Sequence, residues 1–338
     1  MGLKYILAVS FFIFLVLVNL AWVSINLYFI IINGTESIFK GDTFVENIYY
    51  SIYLKWILLS DVLWIICSLI FMLKRKDFKT NLKLHYLDHQ KLDNPKICVV
   101  IPTFNEEASI EKVVNDFISQ PFVEHVIVVD NHSSDATTKI AESSGATIIY
   151  KNENKGFAHS YVLGLKEALK TDSNVILTTE AGDTYNGYDV SKMLPYLENC
   201  DMVIGTRQFQ VLTEKGNQNS ILHVWGNLFL AKLIQIKYFN LLHMGSASLT
   251  DVGCIYRAYT RTSLEKIMDE LTFPNSDKPI AGIAISLHIT ILGIEHDLRL
   301  IEIPITFKKR IGESKLKSNK KLKAIHYGLI YFWFILKI

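Results

Sequence analysis

The sequence predicts an α/β domain built on a mostly parallel sheet and tethered to an N-terminal pair of membrane-crossing helices. Three observations carry that expectation. Two long apolar stretches open the chain. Beyond them, short β-branched apolar runs alternate with helical stretches, the pattern of a parallel sheet covered on both faces. Polar residues, charges and glycines gather directly after each run, at the strand ends where such sheets bind ligands.

Residues 5–32, YILAVSFFIFLVLVNLAWVSINLYFIII, carry no charge and exceed the ~20 residues needed to cross a bilayer. A signal peptide would have an apolar region of only ~7–15 residues and a small-residue cleavage site. Residues 56–73, WILLSDVLWIICSLIFML, are just long enough for a second span. Asp61 within it is costly in lipid and is expected to face the first helix or a headgroup. Lys74, Arg75, Lys76 and Lys79 follow at once, whereas the loop between the spans is net acidic. Both ends of the hairpin are therefore expected in the cytoplasm. Asn33-Gly34-Thr35 fits a glycosylation sequon outside, but so near the membrane that it is read as unused. Half of the residues are hydrophobic and mean hydropathy is +0.23, in keeping with a chain partly in lipid. The net charge of +2 is too small for a nucleic-acid binder. Cys67, Cys98, Cys200 and Cys254 form no C-x-x-C pair, which reads as reduced thiols without disulfides or zinc.

These features divide the chain into a hairpin over 1–76, a polar linker over 77–95, an α/β domain over 96–318 and a C-terminal amphipathic helix over 319–338. The expected strands are 97–101, 125–130, 146–150, 174–179 and 201–205. The first ends in Pro102-Thr103-Phe104-Asn105-Glu106-Glu107 and the second in Asp130-Asn131-His132-Ser133-Ser134-Asp135. The third leads to Asn154-Lys155-Gly156, the fourth to Glu180-Ala181-Gly182-Asp183 and the fifth to Gly205-Thr206-Arg207. Carboxylates at three strand ends, with a lysine and an arginine at two others, suit a phosphorylated ligand and a divalent cation. Each feature also has a plainer reading. Asn105, Ser133 or Ser134 would serve as helix caps, and Gly156 as a turn. No G-x-G-x-x-G, G-x-x-x-x-G-K-[ST] or G-x-S-x-G is present, which argues against a dinucleotide-binding oxidoreductase, a P-loop NTPase and an α/β-hydrolase.

The segments VVIPTFNEEASI, VIVVDNHSSDAT, NKGFAHSYVLG, the acidic pair, DMVIGTR and LTDVGCIYRAYTR occur in one order along residues 97–315. In that order they resemble the family 2 glycosyltransferases of the GT-A fold. They look most like the branch that moves a sugar from a nucleotide to a polyprenyl or dolichyl phosphate. The resemblance implies that Pro102, Phe104 and Glu106 hold the nucleotide base and ribose. Asp130 matches the first aspartate of the family's V-D-D-G-S segment, and Gly156 the glycine opening its G-rich turn. Arg207 would face phosphate. Where the family has D-x-D on a Mg²⁺ or Mn²⁺ ion, this chain has Glu180, then Gly182, with Asp183 shifted by one. Such an E-x-x-D pair is expected to hold an oxygen-preferring ion. Which carboxylate binds it, and whether the metal site is dead, both stay open.

Later, ILHVWGNLFLAKLIQIKYFNLL reads either as a core helix or as one at the membrane surface with Lys232 and Lys237 at headgroup level. Asp251-Val-Gly-Cys-Ile-Tyr-Arg257 resembles the family's D-x-x-x-G-F-R segment near the acceptor. It implies Asp251 as a base or metal-facing carboxylate and Arg257 as a phosphate contact, or else a salt-bridge partner. The ending resembles an apolar strand followed by R-x-G-x-S-K, which places Arg310 and Lys315 at the acceptor phosphate. With Lys308, Lys309 and Lys317 they form a basic cluster suited to anionic headgroups. Residues 324–336 are apolar but too short to span, so an interfacial helix is expected.

The expected activity is metal-dependent, inverting hexosyl transfer from a nucleotide-diphosphate sugar to a polyprenyl phosphate. The expected location is a cell or endoplasmic-reticulum membrane, with the catalytic domain on the cytoplasmic side. Catalysis would rest on Asp251, Asp183 and Arg207, and homo-oligomerisation is left open. A family 2 transferase acting on a glycan hydroxyl is the first alternative. Its processive version is disfavoured because HVWGN lacks the Gln and Arg of Q-x-x-R-W. A catalytically silent scaffold that only binds a nucleotide sugar is the second alternative. A transporter is disfavoured, since two or three spans form no pathway without extensive oligomerisation.

Overall fold

The computed structural model describes residues 90–238, 247–312 and 321–338, together with scattered helical positions between 7 and 28. The chain divides into two units, Met1–Asp77 with Ile338, and Phe78–Lys337. In the first unit the described positions are helical, and the Ser24 hydroxyl donates to the Leu20 carbonyl at 2.8 Å. Most of the expected first span, all of the second, the loop between them and most of the linker lie outside the described residues. Among the described residues, no helix is long and apolar enough to cross a membrane.

The second unit holds seven strands, β1 (Ile97–Thr103), β2 (Val123–Asp130), β3 (Thr147–Tyr150), β4 (Val175–Thr178), β5 (Met202–Thr206), β6 (Arg257–Thr260) and β7 (Leu300–Pro304). Their order across the sheet is β3-β2-β1-β4-β6-β5-β7. All pairings are parallel except those of β6, which runs antiparallel to β4 and to β5. The five strands expected from the sequence match β1 to β5, and the mostly parallel sheet follows. The continuous apolar runs have a simple cause. A parallel sheet is buried on both faces, so its strands need not alternate, and all seven residues of β1 are buried.

Helices α1 (Ile110–Ile118), α2 (Thr137–Ser143) and α3 (Phe157–Ala168) are the crossovers between the first four strands. Ile97, Val99 and Ile101 of β1 share one core with Val113, Val114 and Phe117 of α1. On the other face α3 comes close enough that only glycine fits at its centre. A Cβ on Gly164 would lie 2.3 Å from Val100 Cγ1 and 2.9 Å from Val129 Cγ2. Both neighbours are short β-branched chains, stiff at χ1. Gly164→Val is therefore expected to cost about 1–3 kcal/mol by overpacking, lowering Tm by several degrees in thermal denaturation followed by circular dichroism. An unchanged Tm would contradict this packing.

A short helical stretch containing α4 (Val190–Met193) follows β4, and α6 (Arg261–Ile267) follows β6. Helix α7 (Ile285–Glu295) is buried all round apart from its last residue, as an apolar helix without a polar face must be. Helix α5 (Ile221–Lys237) packs on α8 (Lys321–Lys337). Phe229 stacks on Phe332 at 6.4 Å, and buried Lys237 donates to the Ile335 carbonyl at 2.7 Å. Tyr331 of α8 donates to the Ile283 carbonyl at 3.0 Å, fixing α8 to the loop before α7. The core reading of the α5 region holds for one face, and Lys237, expected at headgroup level, is instead buried against α8. Leu230, Ala231 and Ile234 are core, while Trp225 and Phe229 are 66% and 56% exposed.

Candidate active site

Sheet register places the carboxyl ends of β1, β2 and β3 level with one another, since Thr103 pairs with Asp130 and Asp130 with Tyr150. Above these ends and that of β4 lies a cavity of about 400 Å³. Pro102, Phe104, Glu106, Gly156, Glu180, Arg207 and Arg310 all line it, so these expected site residues are brought together.

Two strand-end loops are pinned to each other. Asn105, at φ 51°, accepts from the Ser134 N–H at 2.8 Å, and its own N–H donates to Ser133 Oγ at 2.9 Å. The Glu106 N–H donates to Thr137 Oγ1 at 2.8 Å. None of Asn105, Ser133 and Ser134 is a helix cap, because α1 starts after Ser109 and α2 after Ala136. Asp130 is buried and accepts from the Ser133 N–H at 3.1 Å, holding the loop beneath the cavity wall. Its neighbour Asn131 reaches the cavity instead. The Asn131 amide donates to Asn154 Oδ1 at 2.6 Å and its oxygen accepts from Lys151 and from the Lys155 N–H. Burial, reinforced by the nearby Lys155, pushes the Lys151 ammonium down to about 8.

The acidic pair behaves differently from the expectation. Glu180 faces the cavity, where its Oε2 lies 3.2 Å from Arg310 NH1. Arg310 NH2 binds Glu106, so one guanidinium bridges two carboxylates. Asp183 has φ 55° and is buried away from the cavity. Its two oxygens are taken by Lys308 and Lys112, each at 2.6 Å. The left-handed backbone at Asp183 sends its side chain elsewhere, and two ammonium groups already neutralise it. Gly182 offers no ligand, and its Cβ space is filled: an added Cβ would sit 2.3 Å from Arg310 NH1. Glu180 and Asp183 therefore do not fit a shared Mg²⁺ or Mn²⁺, which needs converging oxygens. Among the described residues, Glu124, His125 and Asp172 have metal-compatible spacing. They lie at the start of β2 and before β4, the sheet edge opposite the cavity, and Asp172 is bound by Lys96 and His125.

Asp251 is buried and grips Arg207, with Oδ2 2.7 Å from Nε and Oδ1 2.8 Å from NH2. Burial opposes its charge, but the Arg207 guanidinium and hydrogen bonds from Arg207 and Gly253 outweigh it and hold the carboxyl below its usual range. Bidentate pairing of this kind fixes the guanidinium plane. Phe307 adds to it, its ring centre 5.3 Å from the guanidinium carbon. The Asp251 loop is itself held by Glu302, which accepts from the Thr250 and Asp251 N–H groups at 2.8 and 3.0 Å. Asp251 is not on the cavity wall, and both of its oxygens are engaged by Arg207. Arg257, expected at the acceptor phosphate, is fully buried on β6. It donates to the Cys254 carbonyl at 2.8 Å and Thr290 Oγ1 at 2.9 Å, because its register in the sheet points it toward α7. Lys315 lies outside the described residues.

Sequence reasoning missed Asn131, Tyr185 and Tyr331 as cavity residues. Asn131 sits inside a quoted strand-end segment and Tyr185 two residues beyond another, so both were within reach of the same argument. Tyr331 had no local signal, since it arrives through the packing of α8. At Arg207, Gly253, Ile283 and Tyr331 the cavity joins a second, apolar groove of about 500 Å³ between α5 and α8.

Residues 98–268 match the family described as glycosyl transferase family 2. The chain is 26% identical over 235 residues to the polyprenol monophosphomannose synthase of Mycolicibacterium smegmatis, covering 67% of this chain and 83% of that one. It is 23% identical over 250 residues to the undecaprenyl-phosphate mannosyltransferase of Micrococcus luteus, covering 70% and 96%. Among solved structures, glucosyl-3-phosphoglycerate synthase from Mycobacterium tuberculosis, crystallised with Mn²⁺, UDP and glucosyl-3-phosphoglycerate, superposes with a TM-score of 0.51. That likeness has 16% identity over 72% of this chain and 81% of the other, and it carries the GT-A fold alone. With half of its length matched in sequence and the sheet matched in space, the chain belongs to glycosyl transferase family 2.

Proposed function

We propose that the protein moves a sugar from a nucleotide-diphosphate sugar to a polyprenyl phosphate at the cytoplasmic face of a membrane, inverting the anomeric carbon. The observation that carries this reading is the junction of a polar cavity with an apolar groove at Arg207. Leu222, Phe229, Leu230, Ile325, Leu329 and Phe332 wall the groove with hydrocarbon. A polyprenyl phosphate laid along it would put its tail among these side chains and its phosphate beside the Arg207 guanidinium. The same two helices expose Trp225, Leu322, Leu329 and Trp333, each above 60%, the composition of a face that beds into lipid. The apolar sequences at 5–32 and 56–73 would add anchorage. The polyprenyl-phosphate relatives support the same acceptor class.

The donor would lie over Pro102, Phe104 and Glu106, with its diphosphate toward Arg310 and Arg207. An acceptor phosphate, with a second pKa near ~6, is already largely ionised at neutral pH. Its oxygen attacks the anomeric carbon from the face opposite the diphosphate. No general base is needed, which agrees with the engagement of Asp251 by Arg207. A hydroxyl acceptor would need one, and the cavity carboxylates Glu106 and Glu180 are both tied to Arg310. The Mn²⁺ of the fold neighbour speaks for a divalent ion, whereas Gly182 and the lysine-bound Asp183 speak against one here.

The test is transfer in detergent from radiolabelled UDP-glucose, GDP-mannose or UDP-N-acetylglucosamine to a polyprenyl phosphate. An acid-labile labelled lipid is expected with one donor. Label passing only to a hydroxyl-bearing glycan lipid, or to no acceptor, would overturn the reading.

A further inference from the structure

We infer that Arg310 takes the place of the divalent cation in this chain, so that donor binding and sugar transfer proceed without metal. The inference rests on the donor reading above. Three observations lead to it. The position where a second metal-binding carboxylate would stand is Gly182, and the space of its missing side chain is filled by the guanidinium, 2.3 Å from NH1 and 2.4 Å from Cζ to an added Cβ. An aspartate at 182 and Arg310 in its present place exclude each other. Next, the guanidinium is held in the cavity wall by Glu106 on one terminal nitrogen and Glu180 on the other, with only 10% of its side chain exposed. Its Nε is buried and has no hydrogen-bond partner among the described residues. Finally, Asp183 is spent on Lys112 and Lys308.

The backbone braces this arrangement. The Ile311 N–H donates to the Gly182 carbonyl at 3.0 Å and the Lys308 N–H to the Thr184 carbonyl at 2.7 Å, so the Arg310 segment lies along the acidic turn. Glutamates 106 and 180 then act as orienting partners of a cation supplied by the chain itself. A guanidinium is permanently charged and its planar fork suits phosphate oxygens. With Arg207 across the cavity, two guanidinium groups line it, each oriented by the carboxylates that hold it. In the transfer step the bond between the anomeric carbon and the diphosphate oxygen breaks with its electron pair staying on the diphosphate. The acceptor phosphate oxygen forms the new bond to carbon. Arg310 and Arg207 offset the charge left on the departing diphosphate, the electrostatic term that dominates such catalysis.

The experiment is isothermal titration of UDP and GDP into the full-length protein in detergent, in EDTA and in excess Mn²⁺, with transfer assayed in parallel. One nucleotide is expected to bind with the same Kd in both buffers, within about 2-fold, and transfer is expected to persist in EDTA. Arg310→Gln, with its Tm recorded, is expected to weaken that nucleotide about 10-fold or more, the loss typical of a charged hydrogen bond. Gly182→Asp combined with Arg310→Ser is expected to bind nucleotide only when Mn²⁺ is present. Wild-type binding that disappears in EDTA and returns with Mn²⁺ would overturn the inference and leave the donor reading intact. No nucleotide binding in either buffer would overturn both. Because the wild-type arm needs no substitution, the outcome does not depend on any variant folding.

Discussion

Arg207→Leu is expected to abolish sugar transfer and to weaken the fold at the same time. The activity loss is expected to be about 10²–10³-fold, the size seen when one preorganised charge-stabilising donor is removed. The stability loss is expected to be about 3–5 kcal/mol, because Asp251 is left buried without its cation. The two effects can be separated by Arg207→Leu/Asp251→Leu, which removes the stranded charge. That double variant should regain most of the stability, as apolar replacements of buried pairs usually do, and none of the activity. Its recovery of activity would remove Arg207 from the chemistry.

The pair also sets a pH signature. In the wild type the Asp251 carboxyl titrates below its usual value despite burial. Its stabilising contribution is therefore complete above the ordinary carboxylate range of about 4 and is lost as pH falls through the lowered folded value. In Arg207→Leu the guanidinium is gone and burial is opposed only by the backbone N–H groups of residues 207 and 253, so the carboxyl is expected to rise. The single variant should then gain relative stability as pH falls toward 4, where the wild type starts to lose it. Chemical denaturation across that range would read the opposite slopes.

The second large effect is expected from filling the groove. Gly226 of α5 and Gly328 of α8 both line it, and a Cβ on either meets nothing within 4 Å. Gly226→Leu/Gly328→Leu should therefore place two branched chains in the lipid path without a clash. Helix propensity favours leucine over glycine at each site by up to about 1 kcal/mol, so Tm should hold or rise. The KM for a long polyprenyl phosphate is expected to increase at least ~10-fold, about 1.4 kcal/mol of lost binding. Nucleotide Kd should not change, and a short alkyl phosphate should be affected far less. An unchanged KM for the long lipid would take the acceptor out of this groove.

The legible and illegible parts of the molecule differ for physical reasons. Strands β1 to β5 announced themselves because a sheet buried on both faces demands unbroken β-branched runs. Their carboxyl ends necessarily converge, which is why Phe104, Glu106, Glu180 and Arg207 were found as one set. Asp183 was misplaced because a single residue at φ 55° reverses where a side chain leads, and no composition signal marks that turn. Arg257 was misplaced because β6 is four residues long and its facing depends on pairing with Thr178 across the sheet. The D-x-D departure was visible as letters. What filled the gap at Gly182 was not, since Arg310 arrives from more than a hundred residues away. The groove likewise exists only once α8 has docked on α5.

The antiparallel insertion of β6 has a consequence for how the domain comes into being during synthesis. Strands β4 and β5 follow one another in the chain but are not neighbours, because β6 separates them. The block from β1 to β4 contains every pairing of β1, β2 and β3, and lacks only β6 on the outer edge of β4, so it can close once residue 178 has emerged. Strand β5 has no partner until residues 257–260 and 300–304 have been made. The part of the cavity built on β1 to β4 is thus sequence-local, and the part bearing Arg207 assembles late through long-range contacts, the slow class of folding event. Unpaired, β5 exposes an apolar edge for the time taken to translate about fifty residues, a matter of seconds at ordinary elongation rates. In that interval the chain depends on whatever shields such an edge.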